Sequence, residues 1–150
     1  MKKPISSAAP LLAAATATLT ASLLAVSLLA PPPADAATIA AMRDQRRVVI
    51  VAAPSAADPQ LAAQRHALAG WRQGALDRDI SVVEVVGNSV SGADDTASAI
   101  ERRYALPAGR FAVILIGKDG HVAMRSATPL SAATLEGTID AMPMRRAGER

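Results

Sequence analysis

The chain has 150 residues, with 16 Lys and Arg against 13 Asp and Glu, 51% apolar residues, 2% aromatic residues and no cysteine. A chain of this length holds one domain. Without cysteine there is no disulfide, no thiolate metal site and no thiol nucleophile, so disulfide reductase, isomerase and cysteine-peroxidase chemistry is excluded.

Met1-Lys2-Lys3 is a short basic start, followed by an Ala/Leu-rich apolar run from Leu11 to Ala30, the pattern of a secretory signal. Pro31-Pro32-Pro33 stops any helix, and Ala34-Asp35-Ala36 sets small residues where a signal peptidase inspects. Cleavage after Ala36 is expected, which predicts a periplasmic or secreted protein. An uncleaved signal would be its only membrane attachment. No Arg-Arg pair precedes the apolar run, which favours the general secretory route over the twin-arginine one. Loss of Lys2, Lys3 and Asp35 leaves 14 basic and 12 acidic groups in 114 residues, and 13 of those cations are Arg. The mature aromatics are Trp71, Tyr104 and Phe111 alone. A nucleic-acid module needs a basic face interleaved with stacking aromatics, so no nucleic-acid partner is expected.

Residues 37–46 form a polar lead-in without clear period. Val48 to Ala53 is an uninterrupted, largely β-branched run, the signature of a strand covered on both faces. Pro54 to Ala57 is a loop. Asp58-Pro59 then supplies a helix N-cap and a proline at the first helical position, opening a predicted helix from Pro59 to about Arg78. Leu61, Leu68, Trp71 and Ala75 fall on one stripe of it, with His66 opposite. Ile80 to Val86 is a second strand, closed by Gly87-Asn88. Strand, helix and second buried strand form a βαβ unit, which makes the two strands parallel neighbours.

Ser91 to Asp95 is a loop and cap leading into a helix over Thr96 to Leu106, stopped by Pro107. Phe111 to Ile116 is again uniformly apolar. Gly117-Lys118-Asp119-Gly120 is a hairpin turn, and His121 to Arg125 alternates as an edge strand does. Ser131 caps a last helix, with Leu135, Ile139 and Met142 on one face and Pro143 at its end. The predicted fold is α/β, in the order βαβ-α-ββα, with a four-stranded mixed sheet flanked by helices over residues 47–146 and a disordered tail at 147–150.

That order resembles the thioredoxin fold. More specifically, the string Val48 to Gln64, the Arg78-Asp79-Ile80 step, the block from Phe111 to Gly120, and Ile139 to Arg146 resemble an uncharacterised family of exported thioredoxin-like domains. The same domain resembles parts of vertebrate coiled-coil domain-containing protein 80 and of sushi-repeat-containing extracellular proteins. The resemblance implies a fold and a compartment, and no reaction. Relative to redox thioredoxins, the dithiol loop is replaced by Pro54 to Asp58, and Arg110 falls where a peptide-gripping proline stands.

The candidate ligand site follows from that placement. A helix N-terminus presents backbone N–H groups and partial positive charge. Ser55 would donate there, Asp58 would cap, and Arg110 with Arg47 would converge with guanidinium forks suited to carboxylate or phosphate. Against this stands the plainer reading in which Asp58 satisfies the helix start by itself. No catalytic residue, metal or cofactor is expected. Ser55 lacks a G-x-S-x-G elbow, and His66 lies on the far helix face. His66, His121 and Met42, Met124, Met142 and Met144 do not have copper-site spacing. Residues 117–120 lack the length of a phosphate loop, and Arg145-Arg146 suit a helix end. The expected role is a binding module for a small anion or an envelope protein, the alternative being a non-thiol enzyme acting on an anionic substrate in the same pocket.

Overall fold

Arg47 to Ala53 alternate between two apolar surfaces, so every one of these seven residues is buried. In the computed structural model, which describes residues 37–143 and Gly148, they form the central strand β1 of a five-stranded sheet. The elements that follow are α1 (Pro59–Gly70), α2 (Arg72–Leu76), β2 (Ile80–Val86), β3 (Ser89–Ser91), α3 (Ala97–Tyr104), β4 (Ala112–Ile116), β5 (Val122–Ser126) and α4 (Ala132–Asp140). The sheet order is β3-β2-β1-β4-β5. β1 and β2 run parallel, with Arg47 opposite Ile80 and Ala53 opposite Val86, while β4 is antiparallel to β1. The predicted parallel pairing and the outer position of the alternating strand both hold. The expected signal at 1–36 and the tail, apart from Gly148, lie outside the described residues, as do Arg145 and Arg146. Among the described residues no helix is long and apolar enough to cross a membrane.

Period two sorts the sheet's side chains between two cores. Val48, Ile50 and Ala52 of β1 and Ile114 and Ile116 of β4 pack with Ile100 and Tyr104 of α3. Val49, Val51 and Ala53, with Val113 and Leu115, pack instead with Leu61, Trp71, Leu135 and Ile139 of the opposite helices. The lead-in, read as polar, contributes Ile39 and Met42 to the first core, and Ile39 N–H is tied to Asp95 at 2.7 Å.

Three details depart from the sequence reading. A fifth strand, β3, turns back along β2 because Gly87 takes φ +55° and lets the chain reverse at Gly87-Asn88. The long helix divides at Trp71 (φ −108°, ψ 17°). Gly74 lets the indole fold over its backbone: a Cβ there would stand 2.1 Å from Trp71 Nε1. The third helix is capped by Thr96, whose hydroxyl accepts from Ala99 N–H at 3.3 Å, rather than by the preceding aspartates. It ends where Ala105 turns left-handed at φ 47°.

Candidate functional site

Seven strand residues span roughly 20 Å, so β1 has two well-separated poles. The loop at 54–58, at the carboxyl pole, is the place of the expected site. Asp58 Oδ1 accepts from Gln60 N–H at 2.7 Å and Leu61 N–H at 3.3 Å. Pro59 carries no N–H. The donors at the helix start are thus occupied by the chain's own carboxylate, the plainer of the two readings. Ser55 is exposed, and its hydroxyl has no hydrogen-bond partner among the described residues. It opens onto a groove of about 440 Å³ beside Arg65, Glu84 and Ser89. Among the described residues no base hydrogen-bonds it, and Glu84 on the same groove is paired with Arg65.

Arg110 lines a different cleft at the same pole, about 180 Å³ in volume, between Ala52-Ala53-Pro54, Gly87-Asn88 and Leu106-Pro107. Its guanidinium is exposed and forms no ion pair among the described residues; Glu101 is the one carboxylate lining the cleft. The β-strand ends explain the hollow. Ala52 and Ala53 are too small to fill it, and the chain leaves β2 through Gly87.

Arg47 does not join this group. It sits at the amino end of β1, 1% exposed, and Nη1 donates to the Arg78 carbonyl at 2.9 Å. The expected convergence with Ser55 fails because the whole strand lies between them. The amino pole instead holds a polar network that hydropathy does not reveal. Arg78 grips Asp140 with Nε at 3.1 Å and Nη2 at 2.8 Å, pairs with Glu136, and lies 5.9 Å from the Trp71 ring centroid. The hydrogen bonds it donates to the Asp140 carboxylate raise its pKa in spite of burial. Lys118, 7% exposed, meets Asp79 at 3.0 Å. That ammonium, donating a hydrogen bond, holds the Asp79 carboxyl below its ordinary pKa against the opposing effect of burial. A cavity of about 280 Å³ opens beside Arg47, Lys118, His121 and Met142. Its buried cations already serve the fold, which marks the network as structural.

The predicted hairpin turn is present, closed by Gly117 N–H to His121 C=O at 2.9 Å. Gly120 takes φ +80°, a conformation glycine alone adopts without cost. His66 is exposed on α1. Among the described residues no three His, Asp or Glu side chains cluster as a metal site.

The sequence pattern of the family described as Domain of unknown function (DUF4174) matches residues 38–148. No curated protein matches the chain. Among solved structures it is similar to a 2-Cys peroxiredoxin of Plasmodium vivax in the reduced state, at 14% identity and a TM-score of 0.53, covering 72% of this chain and 83% of that one. At that identity the likeness shows the fold alone, a thioredoxin-like one. The chain belongs to the DUF4174 family.

Proposed function

We propose that this DUF4174 domain is an exported, non-redox binding module that holds a small organic anion in the cleft at the carboxyl pole of β1. The observation that carries this reading is Arg110: an exposed guanidinium without an ion pair among the described residues, set in a hollow lined by Ala52, Ala53 and Pro54. Open α/β sheets bind ligands outside the carboxyl ends of their strands. One cation in a cleft of mixed lining, with Asn88 and backbone groups beside Ala52, Ala53 and Pro54, suits one carboxylate on a compact polar body, which a forked guanidinium grips in two places. The anion faces the loop at 54–58 without using the helix N–H groups, since Asp58 holds them. A basic start, an apolar run and Ala34-Asp35-Ala36 support export to the periplasm or beyond, and the resemblance to vertebrate extracellular domains points the same way. A binding role stands ahead of a non-thiol enzyme because, among the described residues, Ser55 has no hydrogen-bonded base and the nearby Glu84 is paired with Arg65.

A thermal-shift screen of carboxylates, dicarboxylates and short peptides with free C-termini tests the reading. At least one class should raise the melting temperature of the parent saturably and leave Arg110→Ala unmoved. A screen in which no ligand depends on Arg110 refutes it, and saturable turnover lost in Ser55→Ala would install the enzyme in its place.

A further inference from the structure

The amino pole carries a second, smaller recess on the other face of the sheet. Between the lead-in turn, the end of α3 and the β4–β5 hairpin lies a crevice of about 100 Å³. Val48, Tyr104 and Ile116 form its apolar floor, and Arg43, Arg46 and Arg103 stand on its rim. The three arginines come from separate places: two positions of the lead-in and the last turn of α3. Consecutive residues diverge here, since Arg47 turns into the fold while Arg46 lines the crevice.

What sets this trio apart is that three arginines without an ion pair among the described residues gather on one rim, whereas Arg72 and Arg110 stand elsewhere. Arg65 pairs with Glu84, Arg78 with Asp140 and Glu136, and Lys118 with Asp79. Arg43, Arg46 and Arg103 form no ion pair among the described residues. The Arg103 guanidinium lies 5.6 Å from the Tyr104 ring centroid, an arrangement that leaves its charge available. The rim carries one acid, Asp119, whose Oδ1 accepts from the His121 backbone N–H at 3.0 Å. Like charges gathered around a concave apolar floor focus a positive potential into the recess.

We infer that this crevice binds a phosphoryl group. Three guanidinium charges, set against Asp119 on the rim and Asp79 within electrostatic reach of Arg46, leave a net positive recess that suits a phosphate monoester, which carries about −1.5 to −2 at neutral pH and offers three acceptor oxygens. The volume is well below the roughly 300–1,000 Å³ of ordinary small-molecule pockets, so the phosphoryl group enters and the rest of its bearer stays outside. Free inorganic phosphate and the phosphomonoester headgroup of a lipid present the same chemistry, and the test separates them.

Titration calorimetry of the purified protein with inorganic phosphate, at constant ionic strength with chloride as the counter-anion, is the first arm. Flotation with phosphatidylcholine vesicles, with and without phosphatidic acid, is the second. Saturable phosphate binding, weakened about tenfold or more by each of Arg43→Gln, Arg46→Gln and Arg103→Gln, supports the site with free phosphate as ligand. Binding confined to phosphatidic acid vesicles, and lost in the triple variant, supports it with lipid as the source. Arg72→Gln, an exposed arginine on α2, should change neither, and unaltered far-ultraviolet circular dichroism confirms that the variants fold. Absence of binding in both arms overturns the inference. So does phosphate binding that survives the triple variant, including binding that only Arg110→Ala removes.

Discussion

Gln64 offers the sharpest test of how this chain holds its shape. It lies on α1, fully buried, and its amide clasps one backbone position: Nε2 donates to the Leu130 carbonyl at 3.2 Å, and Oε1 accepts from Leu130 N–H at 2.7 Å. These bonds pin the segment entering α4 onto α1. Gln64→Leu keeps the side chain's bulk and removes both bonds, stranding one backbone donor and one acceptor. At about 1–3 kcal/mol for each orphaned group, tempered by the half-buried position of Leu130, the loss is about 2–4 kcal/mol. For a domain of this size that lowers the melting temperature by roughly 8–16 °C. Trp71 is the single tryptophan and lies in the same core, so its fluorescence during urea unfolding reports the change. His66→Ala, on the exposed face of the same helix, should fall within about 0.5 kcal/mol of the parent. A Gln64→Leu protein equally close to the parent would refute the claim that this amide holds the two helices in register.

Two helical glycines should respond in opposite ways. Gly74→Ala drives a methyl to 2.1 Å from Trp71 Nε1 and should destabilise by about 1–3 kcal/mol despite better helix propensity. Gly137→Ala meets nothing within 4 Å and should stabilise by about 0.5–1 kcal/mol, both read from urea midpoints. Lys118→Met should alter the acid limb of stability. Because the folded carboxyl of Asp79 sits below its ordinary pKa, its contribution is present above about pH 4 and is lost as pH falls through the folded value. The parent's advantage over Lys118→Met in urea melts should therefore stay constant from pH 7 to 5 and shrink below pH 4; a gap independent of pH contradicts the pairing.

The features legible in the sequence are those whose cause is local. The runs at Val48 and Phe111 declare buried strands by composition. Asp58-Pro59 and Ser131 announce helix starts, and Asp119-Gly120 announces the hairpin. What the sequence conceals depends on distant partners. Gln64, Arg47 and Lys118 read as surface residues because the groups that satisfy them stand 66, 31 and 39 positions away. β3 has three residues, two of them serine, too few for a period to show. The division at Trp71 needs the indole's packing over Gly74, which no helical stripe records. The false convergence of Arg47 with Ser55 was avoidable, since strand rise alone sets the start of β1 far from its end.

A thioredoxin-like frame without cysteine holds no thiol, so the binding role proposed here rests on cations that form no ion pair within the fold. Four acids are held in ion pairs: Glu84 by Arg65, Asp79 by Lys118, and Glu136 and Asp140 by Arg78. Deleting any of those cations strands a carboxylate and is read first as a loss of stability. Deleting Arg110 or a member of the crevice trio breaks no ion pair among the described residues, since Asp79, which Arg46 influences, is still held by Lys118. Their removal lowers the positive charge of a chain whose formal net charge is +3, so the unliganded protein should tolerate it. The cleft and the crevice also lie at opposite ends of β1, roughly 20 Å apart. The two proposed sites, at that separation, can be tested one at a time, and a binding defect in either variant then reports its own site rather than damage to the frame they share.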